Sequence, residues 1–203
     1  MWHNTHIPMT TRLDQQIGFI LEIDKLKTIL RQTPISGAER RRENDAEHSW
    51  HIAVMAVLLC EYAAAAVDVS RVMRMLLIHD IVEIDAGDTF AYDAAGYSDK
   101  EERELRAAER LFGLLPAGQA AEFRALWDEF EAAATPESRY ANALDRLQPL
   151  LLNSRTGGGS WRNHQVTRAQ VLTRMEPVRT GTPELWAVVL GIVDDASARG
   201  WLL

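Results

Sequence analysis

The sequence holds a single cysteine, Cys60, so no intramolecular disulfide can form. A chain without disulfides suits a reducing compartment, and the cytoplasm is the expected setting. Cys60 lies between the apolar run Ile52–Leu59 and the segment Glu61–Ala66, where a thiol is expected to pack as a small buried hydrophobe rather than act as a nucleophile. No apolar stretch reaches the roughly 18 residues that a membrane span requires. The opening residues, Met1-Trp2-His3-Asn4-Thr5-His6, lack a charged segment followed by an apolar core, so no secretory signal is expected. Positive charge is also short: Lys and Arg total 22 against 29 Asp and Glu, a formal net charge of −7. Long DNA or RNA is therefore disfavoured as a partner. A small phosphorylated substrate stays compatible, because a bound metal can supply local positive charge. No internal repeat and no alternating strand pattern stands out.

What is present is helical periodicity. The 203 residues, 47% apolar and 25% charged, suffice for a substantial core. A first helix is expected from about Leu13 to Arg31, stopped by Thr33-Pro34. A second, capped by Asp45, should cover Ala46–Ala66. A third, capped by Asp68 or Ser70, should run from Arg71 to about Ile84 and end at Gly87. Asp88–Tyr97 reads as a loop. Helices follow from about Asp99 to Leu115, broken by Pro116, and from Ala117 to Ala134. Thr135-Pro136 marks a cap and first helical position for a helix reaching about Asn153. Thr156-Gly157-Gly158-Gly159-Ser160 reads as the most flexible stretch. Further helices are expected from Asn163 to about Met175 and, after Thr182-Pro183, from Glu184 to Ala198. The expected fold is all-α, a packed helical bundle forming one domain over 1–203, with its core at about 13–153 and C-terminal helices at about 163–200.

Chemistry-bearing residues concentrate in few places. Of six histidines, His48 and His51 lie in Glu47-His48-Ser49-Trp50-His51, and His79 is followed by Asp80. Met75-Leu76-Leu77-Ile78 precedes that dipeptide and Ile81-Val82 follows it. A charge in such a setting is costly unless paired or metal-bound. The dipeptide alone also fits an acid–histidine pair at a helix end. The wider run, His79-Asp80-Ile81-Val82-Glu83-Ile84-Asp85-Ala86-Gly87-Asp88, sets four acids beside one histidine. Glu83 falls one turn after His79 on the same helix face. Downstream, Asp145 sits among the apolar helix positions of Ala141-Asn142-Ala143-Leu144-Asp145-Arg146-Leu147. Imidazoles with carboxylates suit Mn, Fe, Co, Zn or Mg, with open positions for water and substrate.

A histidine, then His-Asp, then a distant Asp resembles the signature of the HD-domain superfamily. The match extends to its 5'-deoxynucleotidase-like branch. Glu43-Asn44-Asp45-Ala46-Glu47-His48-Ser49-Trp50 resembles the first motif, and His79-Asp80 through Gly87-Asp88 the second. Leu114-Leu115-Pro116 with Leu126-Trp127-Asp128-Glu129-Phe130-Glu131 resembles the middle helices, and Leu144-Asp145-Arg146-Leu147 the last ligand motif. The resemblance covers about Ile17 to Asn153. It implies an all-α HD-domain bundle, commonly a homodimer. It implies a divalent metal (Mn, Co, Fe, Mg or Zn) on His48, His79, Asp80 and Asp145, Glu83 acting on the attacking water, and Asp88 near the sugar hydroxyl. The implied activity is release of phosphate from (deoxy)ribonucleoside 5'-monophosphates by metal-activated water. Hydrolysis of a triphosphate or cyclic nucleotide, or nucleotide binding without turnover, are the alternatives.

One departure bears on substrate. Members of this branch often carry Arg-Trp or Gly-Trp in the loop before the first motif, whereas Ser36-Gly37-Ala38-Glu39-Arg40-Arg41-Arg42 has no tryptophan. Other residues have plainer readings. Arg40-Arg41-Arg42 fits a solvated turn more readily than a phosphate site. His51 fits a core or surface histidine, and His164 a flexible loop rather than a lid. His3 and His6 receive no role, and the tryptophans are expected to be core anchors.

Overall fold

The computed structural model describes residues 11–37, 41–93, 96 and 98–203. The sequence readings at His3, His6, Ala38 to Arg40, Ala94, Ala95 and Tyr97 lie outside them. The architecture is helical, as the periodicity predicts, with one small sheet. The expected first helix divides. Thr11 caps α1 (Arg12–Ile23) with a reciprocal capping box to Asp14. A 3-10 turn, Asp24–Thr28, follows, and the chain then extends as β1 (Leu30–Pro34). β1 pairs antiparallel with β2 (Arg42–Asn44), with an irregularity between Leu30 and Pro34. The expectation of no strands is corrected here. Arg42 reinforces the pair by donating to the backbone carbonyls of Arg31 and Leu30.

The second helix starts one residue earlier than expected. Asn44, not Asp45, is the N-cap of α2 (Asp45–Leu58), its side chain accepting from the Glu47 N–H while Glu47 accepts from its own. This leaves Asp45 at the first helical position, fully buried. The helix ends at Leu58, short of Ala66, and Cys60 is exposed rather than buried. Asp68 caps α3 (Val69–Ile78), which tightens into a 3-10 turn, His79–Val82, before α4 (Glu83–Ala86). Gly87 stops this run at φ 76°, a conformation that glycine adopts without steric cost.

α5 (Lys100–Phe112) and α6 (Ala117–Ala132) flank Pro116 as expected. Thr135 caps α7 (Pro136–Arg155) with Pro136 in its first turn. α7 is buried on most of its circumference, with Tyr140, Ala141, Leu144, Leu147 and Leu150 in the core, as befits a central helix. It packs against α2, α3 and α6 and against two later helices, α10 (Glu176–Gly181) and α11 (Trp186–Ala198). The glycine stretch is not a loose loop. It turns tightly into α8 (Gly159–Asn163), and the Asn153 side chain accepts from the Ser160 N–H at 2.8 Å. A Cβ at Gly159 would lie 2.3 Å from Asn153 Oδ1, so only glycine fits this approach. Thr167 caps the short α9 (Arg168–Arg174), so the expected Asn163–Met175 helix starts only at Arg168. The tryptophan expectation holds for the buried Trp127 and Trp161 but fails for Trp50, which is 65% exposed. Among the described residues, no helix is long and apolar enough to cross a membrane.

Candidate metal centre

Three separate chain segments deliver polar side chains into the core beside α7. The first turn of α2 carries Asp45 and His48. The 3-10 turn after α3 carries His79 and Asp80, and α4 begins with Glu83. α7 itself carries Asp145 and Gln148. All seven are buried. Burying so many polar groups costs several kcal/mol each unless they find partners. Their pairing is therefore informative.

His48 Nε2 lies 2.9 Å from Asp145 Oδ1. His79 Nε2 lies 3.0 Å from Asp80 Oδ1 and 3.8 Å from Asp145 Oδ1. One ligand atom from each of His48, His79 and Asp145 falls within a 4.8 Å group. Asp80 adjoins that group, its other oxygen accepting from Arg31 Nη1 at 2.8 Å. His79 Nδ1 donates to the Leu76 carbonyl at 2.8 Å, so in the neutral ring Nε2 carries the lone pair. That nitrogen is buried and has no hydrogen-bond partner. A backbone-anchored imidazole whose free nitrogen faces carboxylates is how proteins orient metal ligands. Two imidazoles with two carboxylates suit a divalent transition metal or magnesium. The residues present therefore fit the metal that the sequence implies.

The charges respond to this crowding. Burial and Arg31 push the His48 imidazole down, but the facing carboxylates of Asp145 and Glu43 outweigh them and raise it to about 9. Burial opposes ionisation of Asp145, yet Arg146 and the two histidines hold its carboxyl well below the usual range. A metal would compete with a proton on His48, so binding releases protons.

A second set of acids lies alongside. Ligand oxygens of Asp45, Glu83 and Asp88 also fall within 4.8 Å of one another. Burial, then the Asp80 charge, lifts Asp45 to about 7, and the same causes lift Glu83 well above the carboxylate range. Burial likewise raises Asp88. Arg31 reaches into both sets, donating to Asp45 Oδ1 at 3.2 Å as well as to Asp80.

Arg31 is the largest omission of the sequence reading, which placed it at a helix end. Asp45, read as a cap, and Gln148 were also missed as members of the cluster. The capping pattern Asn44-x-x-Glu47 was the available signal for Asp45. For Gln148 it was its place one helical turn past Asp145, the lone polar residue among Leu147, Leu150 and Leu151. Nothing in the local sequence marks Arg31. Conversely, Asp85 turns away to pair with Arg110. Arg41 pairs with Glu47, and His164 stacks on Phe90 with centroids 4.2 Å apart.

A mainly polar cavity of about 240 Å³ opens onto the cluster, bordered by His79, Asp80, Glu83, Lys100, Arg146 and Arg174. A second cavity adjoins it, sharing Arg31, Asp88, Thr89 and Arg146 and adding Gln32, Phe90, Tyr92, Pro149 and Trp161. The first chamber mixes carboxylates with Arg31, Lys100, Arg146 and Arg174, and its neighbour adds the aromatic rings of Phe90, Tyr92 and Trp161.

Comparison with known proteins is consistent with this geometry. Residues 23–186 match the HD-domain family model. The fold is similar to the solved structure of a predicted metal-dependent phosphohydrolase from Magnetospirillum magnetotacticum, with TM-score 0.89 and 60% identity over 94% of this chain and 95% of that one. The sequence is 27% identical over 139 residues to a 5'-deoxynucleotidase of Danio rerio, covering 68% of each chain. It is 30% identical over 135 residues to one of Xenopus laevis, covering 66% of each. The chain thus spans about two thirds of the length of these relatives.

Proposed function

The chain belongs to the HD-domain family, and we propose that it is a metal-dependent phosphohydrolase that releases phosphate from nucleoside 5'-monophosphates, deoxyribonucleotides by preference. The observation that carries this reading is the buried convergence of His79 Nε2, 3.0 Å from Asp80 and 3.8 Å from Asp145, with His48 Nε2, 2.9 Å from the same Asp145 oxygen. In this reading His48, His79, Asp80 and Asp145 hold a divalent metal, one of Mn, Co, Fe, Mg or Zn. A metal bound there acidifies water and offsets charge on phosphate oxygens. Arg31, which now pairs with Asp80 and Asp45, would trade those partners for phosphate oxygens. Glu83 Oε2, buried and without a partner, takes the proton of the attacking water. Burial, then the Asp80 charge, raises Glu83, so this carboxyl holds a proton more tightly than an exposed one. The water oxygen bonds to phosphorus, the ester P–O bond breaks, and the leaving oxygen takes up a proton, matched by the one Glu83 later gives up, so nucleoside and inorganic phosphate are the products. Loss of phosphate release on chelation, and its return with added metal, tests the reading.

Asp88 borders both chambers, where the sugar of a bound nucleotide would cross from one to the other. A carboxylate there is placed to sense whether a 2'-hydroxyl is present. Asp88→Ala is expected to change the deoxy-to-ribo rate ratio more than it changes metal content. Paired deoxy and ribo monophosphates measure this, and an unchanged ratio would remove Asp88 from the sugar site.

The same reading includes one domain over the whole chain, a cytoplasmic setting suited to its lone cysteine, no long nucleic acid as partner, and a homodimer. Trp50, Val54, Val57 and Leu58, each 40% exposed or more, form an apolar stripe along α2 at helical spacing, which favours self-association. Sedimentation as a 22.8 kDa monomer would contradict the dimer.

A further inference from the structure

Beneath the metal centre lies a fully buried side chain that touches no candidate substrate group. Gln148, one turn beyond Asp145 on α7, has three polar partners. His48 Nδ1–H donates to its Oε1 at 3.1 Å. Its Nε2 donates to Glu43 Oε1 at 2.6 Å and faces His51 Nδ1 at 3.1 Å. Glu43 is itself buried, and its second oxygen, 3.6 Å from His48 Nδ1, has no hydrogen-bond partner.

These contacts fix one another in order. An ionised carboxylate only accepts hydrogen bonds, so Glu43 demands the amide nitrogen of Gln148. That orientation turns the amide oxygen toward His48. An amide oxygen also only accepts, so the His48 proton must sit on Nδ1. Nε2 then faces Asp145 and His79 as the coordinating nitrogen. A reversed amide would set its N–H groups against His48 and its oxygen against a carboxylate. His51, midway along α2, closes the network with Nδ1 facing the amide nitrogen.

We propose that Gln148 is a positioning residue, holding His48 in the tautomer and ring orientation that bind the metal, with Glu43 and His51 locking its amide. This rests on the reading of His48 as a ligand. It gives His51 a function through Gln148, although the ring lies outside the cluster.

Cobalt(II) titration followed by visible absorption tests it, because it reports affinity and ligand environment separately from turnover. Gln148→Met keeps length and loses both hydrogen-bonding functions. Outer-sphere partners of metal-bound histidines typically contribute about 10–100-fold in affinity. Gln148→Met is expected to weaken cobalt by that factor and to alter the absorption bands. Gln148→Glu can share one proton with Glu43 and still offer His48 an acceptor. It should restore affinity to within about threefold of the parent, by the same reasoning. Parental affinity and spectrum in a folded Gln148→Met protein would overturn the proposal, as would equal losses in both variants. Should Gln148→Met fail to fold, the isosteric Glu43→Gln decides. It frees the amide to turn over, so weaker cobalt binding is expected and unchanged binding overturns the proposal. His48→Ala separates the two levels: if it binds cobalt as the parent does, the ligand assignment fails before the positioning role is reached.

Discussion

His79→Ala is expected to yield a folded protein with little bound metal and no measurable phosphate release. The ring occupies a defined place. Nδ1 is tied to the Leu76 carbonyl, the ring face meets Phe130 at 4.7 Å between centroids, and Nε2 is left for the metal. Alanine removes that ligand and leaves Asp80 and Asp145 crowded without it. The fold should survive, because Met75, Leu76, Ile78, Ile81 and Val82 bury the same segment independently. Asp80→Ala should behave alike in metal content and activity. It also deprives Arg31 of its shortest carboxylate partner, so it is the more disruptive of the two. Elemental analysis of purified variants, with circular dichroism for the fold, gives the answer. Full metal content in both would remove these residues from the metal site.

Glu83→Gln separates chemistry from binding. The exchange keeps shape and removes the proton acceptor. Loss of a general base typically lowers rate by about 10²–10⁴-fold. The variant should keep its fold and most of its metal, still bind nucleotide, and turn over at that reduced rate. It also relieves the crowding of Asp45, Glu83 and Asp88, so stability should not fall. If Glu83 is instead a ligand of a second cation in that acidic group, metal is lost together with rate. If it is only a buried acid paired with Arg31, turnover stays near that of the parent. Turnover, metal content and nucleotide affinity measured on this one variant distinguish these outcomes, and a parental rate would end the general-base role.

The residues of the buried cluster that the sequence marks are those that break the local pattern. His79-Asp80 interrupts an aliphatic run, and Asp145 interrupts the most buried helix. Helix boundaries were legible where a cap or a stop has one candidate, as at Thr135-Pro136 and Gly87. They were misplaced where two residues could serve: Asn44 and Asp45 both suit a cap, and the capping box to Glu47 decides for Asn44. β1 was hidden because Leu30–Pro34 has no alternation and its partner is only three residues long. Its pairing is a tertiary event, and Arg31 reaches the cluster only because of it. The acids near Arg31 were each visible, but their convergence on one guanidinium was not. Gly157-Gly158-Gly159 looked loose by composition, whereas Asn153 fastens it.

Metal-dependent hydrolysis of nucleoside 5'-monophosphates is measured as inorganic phosphate released by purified, metal-supplemented protein across paired deoxy and ribo monophosphates, triphosphates and cyclic nucleotides, each with and without chelator. Release is expected from the 5'-monophosphates, faster for the deoxy member of each pair, and abolished by chelation and by His79→Ala. Release that persists under chelation, or turnover confined to triphosphates or cyclic nucleotides, would rule this function out.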